Sequence, residues 1–474
     1  MSTFSKKKRV LIPLATLSIA SILIGSSYFG NDKTDASAAT TSYSQGEAFE
    51  SGGYSAEASL PVVGNWSYNL TFAGTNTNKV KWSKEIPNSN LNTPTVDKDG
   101  NIYSVNLDHE LISYDKDGNE RWKISDGTHY SPYGSVVIGN DNTLYMSAGP
   151  NLIALTSDGQ IKWKTSFTAN FSQTPAIDKD GTVYAYNNSD DKLYAINPDG
   201  SMKWKTAVIN DGVADNKSPL ISKDGTIYVQ GSAAASYLTA VDKTGQIKWK
   251  IPSSGYLSNY SLLPSGEVLS SFYAASNTGY VNIINPVDGT IKKTIKFSNS
   301  GGGHFTLYSE YSKELIVQNG KELSSYDLDG NQKWTYQTNG VLLNTPIIDK
   351  NGVIYFSSQD GNFTALNPDG KVKWFVNVRE YLGASTLNFI SSPMSFGVDK
   401  NGTFYMTVKA AYVGADSKYF FLAIGDDGTL EQCSGYLETV KQKLQDHSLT
   451  QEEIDAAQAE LNDTLTQLNE EENK

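Results

Sequence analysis

The sequence predicts an all-β fold, an eight-bladed β-propeller followed by a short C-terminal α-helical hairpin. Three observations predict the propeller: an Asp-Lys-Asp-Gly type of turn recurs, Trp returns at a regular interval, and apolar and polar residues alternate between them. Aromatic residues make up 11% of the chain, with 28 Tyr, a composition that favours strands. Because stacked repeats bury each other's faces, one closed ring can use most of the 474 residues.

The N-terminal segment, residues 1–38, is predicted to be a secretory signal peptide. A basic stretch ending at Arg9 precedes an apolar run from Val10 to Gly25, and Ala36 and Ala38 form a small-x-small cleavage site. An uncleaved membrane anchor is the alternative, but the apolar run is shorter than the ~20 residues that span a bilayer. We expect cleavage after Ala38, no stable membrane insertion afterwards, and a secreted, extracellular or cell-wall-associated protein.

Residues 39–62 are predicted to form a flexible linker, because they are rich in Ser, Gly, Ala and Glu and lack apolar periodicity. The propeller is predicted over 63–432. One of its repeats divides into four strands, "TPAID" from Thr174, "TVYAYN", "KLYAIN" and "SMKWKT", with turns at "DKDG" and "PDG". Four strands in about 40 residues make one propeller blade.

The fourth strand of each repeat carries the periodic Trp, with spacings of 40 to 45 residues. Lys293 takes the matching place in one repeat, and Trp66 alone among the eight Trp lies outside the series. A Trp at this place can cover the gap between neighbouring sheets, so we interpret the series as structural. Its members are Trp82, Trp122, Trp163, Trp204, Trp249, Trp334 and Trp374.

The repeated acidic turn has two interpretations, a calcium loop and a hairpin turn. An EF-hand loop needs Gly at its sixth position and Glu at its twelfth, but counting from Asp97 places Gly100 fourth, Ile102 sixth and Asp108 twelfth. A hairpin turn uses an Asp that caps the backbone and a Gly that accepts positive φ. The pattern favours the structural turn, with weak cation binding as the alternative, at Gly100, Gly181, Gly225, Gly352 and Gly402.

Eight repeats can be counted, and two incomplete ones predict how the ring closes. The last repeat, from Ser392, ends at "TLEQ" without a Trp, whereas "KVKWSKEI" from Lys79 is a fourth strand with no blade before it. Joining the two completes one sheet and removes both free edges. Seven blades is the alternative, if the degenerate repeat from Tyr256 to Lys293 is not a full sheet.

Residues 433–474 are predicted to form two helices, since apolar residues recur at helical spacing in both halves. Thr450 and Glu453 form a capping box at the start of the second helix. The segment "LTQEEIDAAQAELNDTLTQL" resembles the second half of a FIVAR repeat, a helical module of Gram-positive surface proteins. A helical pair that packs on the propeller, or an acidic tail, is the alternative.

The repeats resemble those of the bacterial PQQ-like propeller family, with its "GxVY" strand, "LxAxD" strand, "DG" turn and "KW" strand. The resemblance covers roughly Asn65 to Gln432 and implies a propeller. It does not imply one function, because a single fold hosts many.

Catalytic and metal motifs are absent from the sequence. The four residues His109, His129, His304 and His447 are scattered, and no HExxH, GxSxG, Walker loop or dinucleotide GxGxxG occurs. The single Cys433 allows no internal disulfide. The net charge of −12 and pI near 4.9 argue against nucleic acid as a partner.

Two function hypotheses follow from these observations. The first is a secreted, monomeric, non-catalytic propeller that binds an unknown protein or cell-wall glycan through inter-blade loops and exposed Tyr, with no cofactor. The alternative is a quinoprotein dehydrogenase of alcohols or sugars, in which PQQ stacks near the propeller axis beside calcium. Many alcohol-oxidising members of that class use adjacent Cys residues, which this chain lacks, so the sequence favours the binding protein.

Overall fold

A computed structural model of the protein describes residues 70, 73–86, 93–106, 110–125, 135–139, 141–171, 174–187, 190–208, 218–230, 237–252, 256–274, 278–298, 304–342, 345–389 and 396–426. Within these residues the chain forms eight antiparallel β-sheets, the blades of an eight-bladed β-propeller. The all-β, eight-bladed propeller predicted from the sequence is confirmed, whereas the predicted C-terminal helical hairpin lies outside the described residues. Among the same residues, no helix is long and apolar enough to cross a membrane.

Blades 1 to 4 follow the sequence repeats, and blade 2 has three strands because its long second strand pairs with β6 through its first half and with β8 through its second. Their strands are β2 (Thr95–Val96), β3 (Ile102–Val105), β4 (Glu110–Tyr114), β5 (Glu120–Ser125), β6 (Val137–Ile138), β7 (Leu144–Leu155), β8 (Ile161–Phe171), β9 (Ala176–Ile177), β10 (Val183–Asn187), β11 (Lys192–Ile196), β12 (Met202–Ala207), β13 (Leu220–Ile221), β14 (Ile227–Gln230), β15 (Tyr237–Val241) and β16 (Ile247–Pro252).

Blades 5 to 7 each have four strands, and blade 8 combines the last strands of the described chain with the first, β1 (Val80–Ile86). Their other strands are β17 (Tyr256–Leu262), β18 (Val268–Ala274), β19 (Thr278–Ile284), β20 (Ile291–Ser298), β21 (His304–Ser309), β22 (Glu314–Asn319), β23 (Glu322–Tyr326), β24 (Gln332–Gln337), β25 (Ile347–Ile348), β26 (Ile354–Ser357), β27 (Asn362–Leu366), β28 (Val372–Asn377), β29 (Thr386–Phe389), β30 (Phe396–Val398), β31 (Phe404–Tyr412) and β32 (Ala415–Ile424).

The first strand of a blade lies nearest the axis of the ring, because first strands of neighbouring blades contact each other, as β9 does β13 and β17 does β21. The fourth strand forms the outer edge. Since the strands alternate in direction, the turns between strands 1 and 2 and between strands 3 and 4 share one end of the ring, here called the turn end. The connections from strand 2 to 3, and from strand 4 to the next blade, share the other end, called the loop end.

The core lies between the blades. Second and third strands read as almost continuous apolar runs because both of their faces are covered; Tyr184, Val229 and Phe363, for example, are fully buried. Outer strands alternate between exposed and half-buried residues, as in β12. Each buried side chain of Leu or Phe size stabilises the fold by roughly 1.5–3 kcal/mol, so stability is spread over every contact between blades.

The N-terminal strand closes the ring as predicted. Strand β1 pairs antiparallel with β32, with Trp82 opposite Ala423 and Ile86 opposite Tyr419. The segment before it also contacts blade 7, where the backbone N–H of Gly74 donates to Asp349 at 2.9 Å. The N-terminal segment therefore joins the last two blades and removes the free edge of β32.

The structure corrects three details of the sequence interpretation. The degenerate repeat from Tyr256 is a full four-stranded sheet, so the seven-blade alternative is wrong. The last blade begins at Thr386 rather than Ser392. A one-turn helix, α1 (Val378–Tyr381), follows blade 7, and its first turn is capped because the Asn377 side chain accepts a hydrogen bond from the Glu380 backbone N–H. Without apolar periodicity, so short a helix leaves no sequence signal.

The signal peptide over 1–38, the linker over 39–62, the helical tail over 433–474 and Trp66 lie outside the described residues. So do Cys433, the side chain of His304, and all of His109, His129 and His447. The predictions for these parts stay predictions.

Candidate functional site

At the turn end the acidic turns hold themselves together with hydrogen bonds. Asp97 Oδ1 accepts from the backbone N–H groups of Asp99 at 2.9 Å and Asn101 at 2.8 Å. Its Oδ2 accepts from the Asn101 amide and the Tyr103 hydroxyl, both at 2.8 Å. Both oxygens of this carboxylate are used by the turn, which supports the hairpin interpretation at Asp97.

The Asp–Tyr pair of the turn recurs in blades 3, 7 and 8, as Asp178 with Tyr184, Asp349 with Tyr355, and Asp399 with Tyr405, at 2.9 to 3.0 Å. Burial, reinforced by the nearby carboxylate, raises the pKa of each of these phenols well above its usual value. The hydroxyls therefore stay protonated and donate. The arrangement supports a structural role for these turns.

The glycines of these turns adopt the left-handed conformation that the hairpin interpretation requires. Their φ values lie between 76° and 82°, which L side chains rarely adopt. The residues are Gly100, Gly181, Gly225, Gly352 and Gly402.

Seven tryptophans join neighbouring blades. Each indole N–H donates to a backbone carbonyl outside its own sheet, as Trp163 does to Pro198 at 2.8 Å and Trp204 does to Lys243 at 2.9 Å. Trp374 donates to Thr75 of the N-terminal segment at 3.3 Å. The equivalent bonds of the other members are those of Trp82, Trp122, Trp249 and Trp334.

The contact between blades 5 and 6 is built differently. Lys293 replaces the Trp and forms an ion pair with Asp329 at 2.5 Å. Near the axis, the Asn259 side chain donates to the Thr306 carbonyl at 2.9 Å and accepts from the Thr306 N–H at 3.2 Å. This contact lacks the outer Trp and has a buried amide near the axis, while an apolar cluster that includes Phe297 and Tyr326 still joins the two blades.

At the loop end, first strands begin with hydroxyl side chains beside the axis. Thr174 Oγ1 accepts from the Ser135 N–H of the preceding blade at 2.8 Å. Thr93, Ser218 and Thr345 occupy the equivalent position and are at most 3% exposed, yet their hydroxyls have no hydrogen-bond partner among the described residues. Such groups lose the bonds that water would give them unless something else supplies a partner.

Two amides extend this set at the ends of second strands. Gln230 is fully buried, and neither amide atom has a partner within the described part of the chain. The register of β13 and β14 places Gln230 level with Ser218. Gln318 donates to the Leu342 carbonyl at 3.2 Å, whereas its Oε1 is unpartnered. We call Thr93, Ser218, Gln230, Gln318 and Thr345 the axial polar set.

The axial polar set can donate and accept hydrogen bonds and contains no charged side chain. Such groups can recognise a polar partner. The sequence interpretation missed these residues, although Thr-Pro or Ser-Pro recurs at 93–94, 174–175, 218–219 and 345–346 and was a usable signal.

A PQQ site is not supported by the side chains of the inner strands. PQQ carries three carboxylates, whose burial needs cationic partners. The described first and second strands contain one Lys and no Arg, and the ammonium of this residue, Lys409, lies 5.5 Å from the centroid of the Tyr419 ring. No group of three or more His, Cys, Asp or Glu that could hold a metal ion occurs among the described residues. The described first and second strands therefore do not supply the cationic partners that this cofactor needs.

The eight blades and their inter-blade tryptophans define a propeller of the PQQ-like class. The chain belongs to the family described as outer membrane protein assembly factor BamB, whose model matches residues 36–163, 131–263 and 270–411. The sequence resemblance to PQQ-like repeats is thereby confirmed.

Among curated proteins, the chain is 32% identical over 114 residues to the uncharacterized protein YxaL of Bacillus subtilis (strain 168). This match covers 23% of the chain and only 27% of that relative.

Solved structures share the fold at low identity. BamB from Moraxella catarrhalis has a TM-score of 0.50 at 14% identity, with 74% of this chain and 98% of that one covered. A europium-containing methanol dehydrogenase has a TM-score of 0.55 at 11% identity, covering 76% and 96%. A quinohemoprotein alcohol dehydrogenase from Pseudomonas putida HK5 has a TM-score of 0.55 at 12% identity, covering 77% and 81%. At these identities the likeness shows the fold alone.

Proposed function

We propose that the protein is an exported, non-catalytic β-propeller that binds a protein or glycan partner at the bacterial cell surface or outside the cell. The observation that carries the proposal is the axial polar set. Its buried hydroxyls and amides lie at the loop end with hydrogen-bonding capacity unused by the described residues. Glycan hydroxyls and extended peptide backbones both offer the donors and acceptors that these groups need.

Two further features support binding at this end. Tyr381, in α1 at the loop end, is 50% exposed and offers an aromatic surface for stacking. The family takes its name from an assembly factor, and the name favours contact with another protein.

A retention experiment tests the proposal. Mature protein is immobilised and exposed separately to bacterial cell-wall glycan fragments and to secreted proteins, and the retained partner is titrated. The double variant Ser218→Ala, Thr345→Val should weaken retention more than tenfold, since each lost hydrogen bond contributes about 1 kcal/mol. The turn-end variant Asp99→Ala is the control and should bind as the parent does.

The same protein is mixed with PQQ and calcium, and alcohol and sugar oxidation is followed with a dye. Saturable cofactor uptake with turnover would replace the proposal by a quinoprotein dehydrogenase. Equal retention by the double variant and the parent would move the binding site away from the axis.

Export is tested by sequencing the N-terminus of the protein recovered from culture medium and cell wall. We expect a start at Ala39. Retention of Met1 in a membrane fraction would contradict the signal-peptide prediction.

A further inference from the structure

The outer wall of the ring has a charge opposite to that of the chain. Thirteen Lys and Arg but only two Glu lie on the outer strands of blades 8 and 1 to 5, which are β1, β5, β8, β12, β16 and β20. These strands carry a net charge of +11, whereas the whole chain carries −12. The outer strands of blades 6 and 7 have one basic residue each, Lys333 and Lys373. The basic residues therefore form an arc over six blades.

Four of the thirteen basic residues of the arc form an ion pair with an acidic residue of their own blade. In blades 2, 4 and 5 the lysine before the Trp position pairs with an acidic residue of the turn end, as Lys162 does with Asp141 and Lys292 does with Glu267, both at 2.9 Å. These lysines contribute less to the outward potential because a carboxylate lies beside each ammonium.

A second group of lysines rests on tyrosine rings. The ammonium of Lys250 lies 4.2 Å from the centroid of the Tyr237 ring, and those of Lys205 and Lys296 lie 5.8 Å and 5.7 Å from the rings of Tyr194 and Tyr280. Lys205, Lys250 and Lys296 form no ion pair with any residue that the structure describes. A ring under the ammonium restrains the side chain and leaves its N–H donors available.

These three lysines recur on blades 3, 4 and 5, in the half of each outer strand that leads to the loop end. They therefore form a row of restrained cations around the wall. Lysine ammonium groups bind phosphate as point charges, so a row of them suits a partner with repeated phosphates.

We propose that the outer lysine arc binds a linear, flexible polymer of phosphate groups. A flexible chain can follow the convex wall and meet one lysine after another. Duplex DNA, with a persistence length of about 50 nm, stays nearly straight over such a distance and touches few blades. The acidic remainder of the surface also repels a wide polyanion, while a thin chain stays close to the arc.

The net charge of the chain gave no sign of this surface, because a pI averages over faces that the fold separates.

A different role for the same residues is protection of the ring, since Lys on an exposed edge strand discourages pairing with other sheets. The two roles differ in whether the intact protein binds phosphate polymers.

The experiment titrates intact mature protein with sodium polyphosphate at several salt concentrations. The variant Lys205→Gln, Lys250→Gln, Lys296→Gln should bind at least tenfold more weakly, and the slope of log affinity against log salt should fall by about 2 for three lost contacts. The matched control is Lys98→Gln, Lys350→Gln, Lys400→Gln, which removes the same charge from exposed turn-end lysines. It should bind within twofold of the parent.

A second measurement uses the parent alone, in case the triple variant fails to fold. Lysines are acetylated with and without polyphosphate and read by mass spectrometry. Protection of Lys205, Lys250 and Lys296 but not of Lys98, Lys350 and Lys400 supports the proposal. The proposal would be overturned if the parent failed to bind polyphosphate, or if both triple variants bound it equally weakly. It would also be overturned if both groups of lysines were protected equally, or if single-stranded DNA bound and polyphosphate failed to displace it.

Discussion

The two ends of the ring use polar side chains in opposite ways. At the turn end, Asp349 accepts hydrogen bonds from the backbone N–H groups of Asn351, Val353 and Gly74 and from the Tyr355 hydroxyl. At the loop end of the same blade, the buried Thr345 hydroxyl has no partner among the described residues. Both side chains are at most 2% exposed.

This difference separates stability from recognition within one repeat. A buried polar group whose bonds are complete stabilises the fold, whereas one without a partner costs stability and is retained at functional sites. Substitutions at the turn end should therefore change stability and spare binding. Substitutions in the axial polar set should weaken binding and spare stability.

The largest loss of stability is expected from deleting Lys79 to Ile86, because this segment contains β1, the strand that closes the ring. The deletion exposes the edge of β32 along its whole pairing with β1. Aggregation should follow, because an exposed apolar edge recruits other strands. Light scattering and thermal melts check this result beside a truncation lacking 433–474, which should remain monomeric. A deletion variant as stable as the parent would show that the ring is closed elsewhere.

Replacing one inter-blade tryptophan should have the next largest effect. Trp204→Ala removes the bond to the Lys243 carbonyl and the contact of the indole with Gly245, where an added Cβ would lie 2.8 Å from the ring. We expect a loss of about 3 kcal/mol in the free energy of unfolding, measured with denaturant. Lys293→Ala, at the matching place of blade 5, should lose less than about 1 kcal/mol because its ion pair is exposed. Equal losses would contradict the structural role of the Trp.

The turn-end carboxylate should have an intermediate effect. Asp349→Ala leaves buried N–H donors and the Tyr355 hydroxyl without an acceptor, so we expect a loss of about 2 kcal/mol. Asp99→Ala should stay within about 0.5 kcal/mol, since the exposed Asp99 side chain accepts none of the turn's hydrogen bonds described above. Retention of partner should be unchanged in the folded fraction of both variants. Lost retention at full stability would place the function at the turn end.

The sequence predicted the ring well because repetition amplifies weak signals. Trp, Gly and Asp each have one structural task, and the seven Trp, five Gly and four Asp that repeat it reveal that task. Closure by β1 was predictable because two incomplete repeats complement each other. Helix α1 and the merged strand β7 occur once, so no repetition marks them.

The candidate site was harder to predict, since its residues are ordinary in type. Ser218 and Thr174 look alike in the sequence, and only the three-dimensional neighbours show that Thr174 has a partner. The basic arc was hidden for a similar reason, because net charge carries no information on where Lys205 or Lys250 lies.

The central claim, that the axial hydroxyls are unused by the fold, is tested most directly by the same substitution at equivalent positions of two blades. Unfolding free energies are measured for Thr174→Val and Thr345→Val. Thr174→Val should lose about 1–3 kcal/mol because the buried Ser135 N–H loses its acceptor. Thr345→Val should equal or exceed the parent in stability. A loss at Thr345 as large as that at Thr174 would show that its hydroxyl serves the fold and would contradict the claim.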